Sequence, residues 1–187
     1  MILLDKICKS YGDNQVLTDL SISFEKGNTC IMGQSGKGKT TILSLIVGLQ
    51  KPDSGTIVLP NNATIGCVFQ EDRLVESMTV IKNMLLVGKN SEIKFAKSLL
   101  TQLGLDNITK YKVNTLSGGM KRRIAIARAL FAKPEILILD EPFDGLDMTT
   151  KLQTIETIKN QTIDKICIFV SHDPNDVKLL NAKVINI

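Results

Sequence analysis

The segment "GQSGKGKT", Gly33 to Thr40, constrains the fold of this chain more than any other feature. It fits the pattern G-x-x-x-x-G-K-T and stands between a short strand-like run, "TCIM", and an apolar helix-like run, "TTILSLIVGL". In that setting the motif binds phosphate, because glycines let backbone N–H groups turn toward an anion and the helix start adds the positive end of its dipole. The sequence therefore predicts a phosphate-binding loop.

The residue types in and beside this loop follow from the charge of the anion. Lys39 is predicted to reach the β- and γ-phosphates of a nucleotide, and the Thr40 hydroxyl is predicted to bind Mg²⁺. The other residues predicted to bind nucleotide here are Gly33, Gln34, Ser35, Gly36, Lys37, Gly38 and Thr41.

A second chemical signal is the acidic pair at the end of "ILILDEPF". Two adjacent carboxylates after an apolar run are costly to bury without a task. Asp140 is predicted to hold Mg²⁺ through water, and Glu141 to orient and polarise an attacking water. The alternative is a solvated acidic turn, since Pro142 and Gly145 mark a loop, and the phosphate-binding loop upstream makes that alternative much weaker.

Short apolar runs alternate with helical patterns along much of the chain. The runs are "TCIM", "TIGCVF", "EILIL" and "KICIFV". Such runs are typical of parallel strands buried on both faces, so we expect an α/β core. Residues 1–27 contain two strand-like runs around a Gly-Asp-Asn turn and predict an antiparallel edge.

Helical signals replace the strand signals between Gln70 and Ser117. One predicted helix opens at Ser91, closes at Gly104 and places five apolar residues on one face: Ile93, Ala96, Leu99, Leu100 and Leu103. We therefore expect one domain over residues 1–187, with a helical part at 71–115 inserted between 1–70 and 116–187.

Composition and charge narrow the class of protein. The chain has 187 residues, of which 43% are hydrophobic, enough for one globular domain. Its longest apolar stretch, "ILSLIVGL", is far shorter than the roughly 18 residues of a membrane helix, so we expect a cytoplasmic chain unless a partner holds it at a membrane. A spread net charge of +4 argues against a nucleic-acid surface, and four cysteines without a Cys-x-x-Cys pair are predicted to be buried reduced thiols.

Taken in order, these residues resemble the nucleotide-binding ATPase subunits of ABC transporters over essentially the whole chain. Gly33 to Thr40 resembles the Walker A loop, and Asp140 and Glu141 resemble Walker B and its catalytic glutamate. Tyr11 in "KSYG" resembles the adenine-stacking aromatic, and Gln70 in "VFQED" resembles the Q-loop glutamine. The segment "LSGGM" at 116–120 resembles the signature, and "GLD" at 145–147 resembles the D-loop. His172 in "FVSHD" resembles the switch histidine.

The resemblance implies a P-loop NTPase fold, with a RecA-like core, an antiparallel β subdomain and a helical subdomain. It implies ATP and Mg²⁺ as cofactors, with Thr40, Gln70 and Asp140 at the metal and Lys39, Gln70, Glu141 and His172 in catalysis. It also implies a membrane-spanning partner subunit, a cytoplasmic position at the membrane, and a substrate-binding protein if the system is an importer. No nucleic-acid partner is expected.

The helix start "TLSGGM" is explained by the same resemblance. Ser117, Gly118 and Gly119 are expected to bind the γ-phosphate held by another subunit, so two chains, identical or similar, dock head to tail with two ATP molecules between them. Asp147 in the D-loop is expected to belong to that nucleotide site. The alternative for Ser117 is an ordinary helix N-cap.

Several residues keep two interpretations at this stage. Tyr11 either stacks on adenine or packs as a turn aromatic, and His172 either contacts phosphate or is structural, its place after a buried strand favouring the phosphate role. Gln70 suits a hinge that senses the nucleotide. Met120, Ile124, Ala127 and Phe131 are predicted to pack, whereas Lys121, Arg122 and Arg123 are predicted to form a solvated face.

Two departures from the family pattern refine the expectation. Met120 ends the signature and Gly145 opens the D-loop, as in importer ATPases of the nitrate, sulfonate and taurine type. Little sequence follows His172, so we expect a motor without a regulatory domain. One alternative is a soluble ABC ATPase acting on nucleic acid or ribosomes, but such proteins usually have two cassettes or a coiled-coil insert. The other is a regulatory protein without turnover, and the intact residues Lys39, Glu141 and His172 argue against it.

Overall fold

The computed structural model describes residues 1–187, apart from the side chain of residue 90. The strands are β1 (Ile2–Tyr11), β2 (Asn14–Phe24), β3 (Gly27–Met32), β4 (Ser54–Val58), β5 (Ile65–Val68), β6 (Ile136–Asp140), β7 (Ile166–Val170) and β8 (Lys183–Asn186). The α-helices are α1 (Lys39–Val47), α2 (Val80–Leu85), α3 (Ile93–Gln102), α4 (Gly118–Phe131), α5 (Met148–Gln161) and α6 (Pro174–Leu179), with short 3₁₀ turns at Asn90–Glu92 and Val113–Thr115.

The strands form two sheets. Five parallel strands have the order β5-β6-β7-β3-β8, and three antiparallel strands have the order β2-β1-β4. The runs predicted to be parallel strands therefore lie side by side in one sheet. The predicted α/β class is confirmed.

The parallel sheet is buried on both faces because its side chains alternate between two cores. On β6, Ile136 and Ile138 pack with α1 and the antiparallel sheet. Leu137 and Leu139 pack on the opposite side with α2, α3, α4 and α5. Continuous apolar sequence is the expected pattern for such strands, since neither face meets water.

The helical part between β5 and α4 differs from the sequence prediction in detail. Four of the five predicted apolar positions on α3 are buried, while Ile93 is partly exposed. The predicted cap at Ser91 was wrong, because Ser91 lies in a 3₁₀ turn and the helix begins one residue after Glu92. Gly104 does end the helix, with φ +67°.

Two elements were missing from the sequence prediction. Strand β4 completes the antiparallel sheet by pairing with β1, and helix α2 packs against α4. Both are short, and the polar or glycine residues at Ser54 and Gly55 weaken the strand pattern of β4. Among the residues described here, no helix is both long and apolar enough to cross a membrane.

The prediction of buried thiols holds for only two cysteines. Cys30 and Cys167 are buried, and burial raises the pKa of the Cys30 thiol to about 11 and that of Cys167 to about 12. Cys8 and Cys67 are half-buried, because each lies on a strand face that the core covers incompletely. All four are free thiols.

Candidate functional site

The carboxyl ends of the parallel strands bring most of the predicted site together. A cleft of about 270 Å³ lies beside the glycine-rich loop that follows β3. Gln70, Glu141 and His172, which follow β5, β6 and β7, share this cleft with the loop. The other lining residues are Val16, Ser35, Gly36, Gly38, Lys39, Thr40 and Thr41. This is the place where ligands bind in parallel sheets of this kind.

Lys39 is held at the centre of the loop. Only 7% of the residue is exposed, and its ammonium donates hydrogen bonds to the carbonyls of Gly33 at 2.8 Å and Gln34 at 3.0 Å. A buried cation surrounded by backbone dipoles attracts an anion strongly. The lysine is thus placed to bind phosphate groups that enter the cleft.

Gly38 shapes the junction between the loop and α1. Its φ of +89° lies in the left-handed region, and a Cβ atom there would approach Leu17 Cδ2 to 2.7 Å and Val16 Cγ1 to 2.9 Å. A larger residue is therefore strained by the backbone and forces the Leu17 and Val16 side chains to move. The left-handed turn at Gly38 thus directly precedes the start of α1 at Lys39.

Thr40 and Asp140 meet at the base of the cleft. The Thr40 hydroxyl donates to Asp140 Oδ2 at 2.8 Å, and Asp140 is 2% exposed. The hydroxyl and the carboxylate thus lie side by side, and the amide of Gln70 lines the same cleft. Mg²⁺ prefers oxygen ligands of this kind when it also binds phosphate. The residues present therefore fit the predicted ion.

Glu141 and His172 form the second polar pair of the cleft. His172 Nε2 lies 3.0 Å from Glu141 Oε1, with the histidine half exposed and the glutamate largely covered. Glu141 has φ +48°, a left-handed conformation that costs a non-glycine residue roughly 1–3 kcal/mol. Its N–H donates to the Val170 carbonyl at 3.1 Å, which helps to fix this conformation.

The solvated basic face predicted on α4 was wrong for two of its three residues. Arg122 is 6% exposed, and its guanidinium reaches carbonyls at the ends of β5 and β6. Arg123 donates to the carbonyls of Leu103 at 2.8 Å and Gly104 at 3.2 Å, which end α3. Long side chains of this kind cross to distant backbone acceptors, and helical periodicity alone does not show that.

Lys121 matches the predicted solvated face in part, with 24% of its side chain exposed. It pairs with the exposed Glu76 at 2.7 Å. The packing face predicted from Met120, Ile124, Ala127 and Phe131 is confirmed, since the last three are buried and Met120 packs against the same core.

The glycine-rich start of α4 lies apart from this cleft. Among the described residues that line the cleft, none comes from Ser117, Gly118 or Gly119. Ser117 caps the helix, its hydroxyl accepting from Met120 N at 3.3 Å. A Cβ atom on Gly118 would meet nothing within 4 Å, so this helix start is open. Within one chain, Ser117 therefore acts as the N-cap of α4.

The segment Gly145–Asp147 lies next to that helix start. A Cβ on Gly119 would come within 3.4 Å of Leu146 and 3.5 Å of the Gly145 carbonyl. Asp147 caps α5 by accepting from the Thr150 hydroxyl at 2.6 Å and its N–H at 3.0 Å, and these bonds lower the pKa of Asp147. The sequence interpretation missed this cap.

Tyr11 lies at the end of β1, outside the cleft lining that the structure describes. It is 45% exposed, its hydroxyl donates to Gln50 Oε1, and Lys9 Nζ lies 5.7 Å from the ring centre. These contacts fit the interpretation of Tyr11 as a turn aromatic on the β-sheet, and nearly half of the residue stays exposed.

A buried polar network behind His172 was also missed. Lys151 on α5 pairs with Asp173 at 2.7 Å and with the buried Asp176, whose Oδ2 accepts from the Ser171 hydroxyl at 2.6 Å. Burial alone lowers the pKa of Lys151, but these partners outweigh burial and the pKa lies above its usual value. The network fixes the segment that carries His172, and no sequence spacing links α5 to α6.

A family model described as "ABC transporter" matches residues 17–144, more than half of the chain. This chain belongs to the ABC transporter family. It is the ATP-binding and ATP-hydrolysing subunit of such a system. The resemblance inferred from the ordered motifs is confirmed.

Relatives of the chain are named as ATP-binding proteins of several transport systems. It is 34% identical to an aliphatic sulfonates import ATP-binding protein of Rhodococcus jostii, over 98% of this chain and 70% of the relative. It is 34% identical to an ergothioneine transport ATP-binding protein of Helicobacter pylori, over 100% and 97% of the two chains. The similarity to sulfonate importers expected from Met120 and Gly145 is confirmed.

A solved structure gives the same picture for the fold. An ATP-binding cassette in a dimeric, post-hydrolysis state with ADP and Pi matches with a TM-score of 0.91 and 27% identity, over 100% of this chain and 94% of that one. The P-loop NTPase fold predicted from the motifs is confirmed. The alternative of a soluble ATPase acting on nucleic acid is not favoured by these relatives.

Two glycines at the ends of α1 provide a test of the loop geometry. Gly38→Ala should abolish most ATP binding, because the new Cβ clashes with Val16 and Leu17 and opens the turn. Gly48→Ala is the control: Gly48 ends the same helix with φ +78° and has open space around it. The control should lose roughly 1–2 kcal/mol of stability and still bind ATP. Equal ATP affinity in the two variants, measured by titration, contradicts this assignment.

Proposed function

We propose that the chain works as one half of an ATP-driven dimer beneath a membrane-spanning subunit of an importer, at the cytoplasmic face of the membrane. The observation that carries this proposal is that the cleft around Lys39 and the open helix start at Gly118 lie apart on one chain, while both expose groups suited to bind phosphate. Relatives named as import proteins support the direction of transport, and a dimeric relative supports the assembly.

The cleft binds the triphosphate of ATP. The loop N–H groups, the start of α1 and the Lys39 ammonium together neutralise the phosphate charge. Tyr11, exposed at the end of β1, stacks on the adenine ring. Thr40, Asp140 and Gln70 hold Mg²⁺, which supplies charge neutralisation at the phosphate oxygens when it is bound.

Hydrolysis uses the Glu141 and His172 pair. Glu141 accepts a proton from the water that attacks the γ-phosphorus, while the bond to the β-phosphate oxygen breaks and ADP leaves. His172 Nε2, 3.0 Å from the carboxylate, holds the glutamate in place and lies within the same cleft as the γ-phosphate. Gln70 contacts the ion or the water without adding charge.

Two chains complete each other's sites. Small residues at Ser117, Gly118 and Gly119 leave the first N–H groups of α4 open, and a 14-residue helix gives that start a full dipole. The γ-phosphate of ATP in the partner's cleft binds there. Asp147, adjacent to this helix start on its own chain, lies at the same interface. The arrangement is isologous, so two ATP molecules lie between the chains.

Residues 71–115 form the surface that docks the membrane subunit. This helical part of the single domain exposes several apolar side chains, and two of them are neighbours just after α2: Leu86 is 53% exposed and Val87 is 46% exposed. Gln70 connects this surface to the nucleotide, because it directly precedes the segment and lines the cleft. If the system is an importer, a substrate-binding protein supplies the cargo on the other side.

The chemical role of Glu141 is tested by one substitution and a matched control. Glu141→Gln should lower kcat for ATP on the order of 10²- to 10⁴-fold, because it removes the base and keeps the shape of the site. The variant should still bind ATP and accumulate as an ATP-bound dimer on size exclusion. Glu135→Gln makes the same change at the exposed opposite end of β6 and should keep wild-type turnover. Near wild-type ATPase activity in Glu141→Gln refutes the assignment.

The docking surface is tested with the membrane subunit that co-purifies with the chain. A double variant, Leu86→Ser with Val87→Ser, should lose most of the stimulation of ATPase activity by that subunit in proteoliposomes, with the KM for ATP unchanged. Ile163→Ser, at a residue 68% exposed outside the segment, is the control and should keep the stimulation. Full stimulation in the double variant rules out these two residues as part of the docking surface.

A further inference from the structure

Arg122 lies between the nucleotide cleft and the helix that begins at Ser117. Its Nη2 donates to the carbonyls of Asp140 and Glu141, both at 2.9 Å. Its Nη1 donates to the Phe69 carbonyl at 2.5 Å and to Asp72 Oδ1 at 3.1 Å. One buried guanidinium therefore joins the backbone on either side of the cleft floor, at the ends of β5 and β6.

The backbone that Arg122 holds is the strained one. Glu141 stands in the left-handed region with φ +48°, and such a conformation persists only where its surroundings fix it. The Val170 carbonyl fixes the Glu141 N–H, and Arg122 fixes the Glu141 carbonyl. The direction of the Glu141 side chain depends on this φ, since rotation of the peptide would carry the carboxylate away from His172.

The planar guanidinium is suited to this task. It presents donors in a fixed fork, so Nη1 and Nη2 address two separate strands at the same time. A lysine at this position has a single ammonium on a flexible stem and cannot span both carbonyl groups in a fixed geometry. Removal of the donors leaves three buried or half-buried carbonyls without this partner and frees the peptide after Glu141.

We infer that Arg122 is a positioning residue for catalysis, which acts by holding the Glu141 carboxylate where it accepts the proton of the attacking water. This inference rests on the proposed role of Glu141. It distinguishes Arg122 from a side chain that only stabilises the fold, because a positioning residue loses its effect on turnover once the group that it positions has been removed.

The test is a double-mutant cycle. Arg122→Met keeps an unbranched apolar stem, though a shorter one, and removes every donor. In the otherwise wild-type chain it should lower kcat roughly 10- to 100-fold, as misplacement of a catalytic group does, with little change in the affinity for ATP. In the Glu141→Gln chain, followed by single-turnover release of labelled phosphate, the same substitution should change the rate hardly at all. Amide exchange over residues 139–144 should become faster.

Arg128→Met is the matched control. Arg128 lies on the same helix and donates to the Asp72 carbonyl at 3.1 Å, yet it has no contact with Glu141 among those that the structure describes. Arg128→Met should change turnover by the same factor in the wild-type chain and in the Glu141→Gln chain, whatever the size of that factor. Amide exchange over residues 139–144 should not change.

Each result decides the matter. If Arg122→Met lowers turnover by equal factors in both backgrounds, leaves wild-type turnover unchanged, or leaves the exchange unchanged, the inference is overturned. If Arg122→Met does not fold, Arg122→Lys takes its place in the same cycle, with a smaller loss expected in the wild-type background only. If Glu141→Gln itself hydrolyses ATP at the wild-type rate, the proposed role of Glu141 fails, which is a different outcome.

Discussion

The alignment of four strand ends at one edge of the parallel sheet is the constraint on which the rest of the structure depends. β3, β5, β6 and β7 run in the same direction, so the residues that follow them meet in one cleft. The hydrogen bond between Thr40 and Asp140, at 2.8 Å, joins the glycine-rich loop to the end of β6. Hydrophobic burial on both faces of the sheet keeps these ends in register. The fold itself therefore holds these polar groups together, and such preorganisation lowers the cost of binding.

The first two turns of helix α4 have different surroundings. The first turn is open at Gly118, whereas Arg122 in the second turn points into its own chain and bonds to the backbone around Glu141. Lys151 plays a comparable structural part for the segment of His172, through Asp173 and Asp176.

The sequence predicted the parts of this account that depend on local pattern. The loop at Gly33–Thr40, the buried strands and the acids at the end of β6 are contiguous motifs, so their neighbours in sequence already define their setting. Arg122 was wrongly placed in solvent because its acceptors, Phe69 and Glu141, are distant in sequence and use backbone atoms that carry no residue signature. The cap at Asp147 was missed because its recognition requires the exact start of α5. Strand β4 was missed because its recognition requires the partner strand β1.

In the proposed dimer, each ATP site combines the cleft of one chain with the α4 start of the other. Differently tagged chains, all carrying Glu141→Gln, allow mixed dimers alone to be counted after ATP is added. If the sites are shared between chains, a mixed dimer of one Lys39→Ala chain and one Ser117→Arg chain contains one intact site, and it should form with one ATP bound. A mixed dimer of one chain carrying both substitutions and one chain carrying neither contains no intact site, and it should not form when ATP is added. The reverse pattern, with mixed dimers only in the second pairing, would show that Ser117 serves its own chain and would contradict the account.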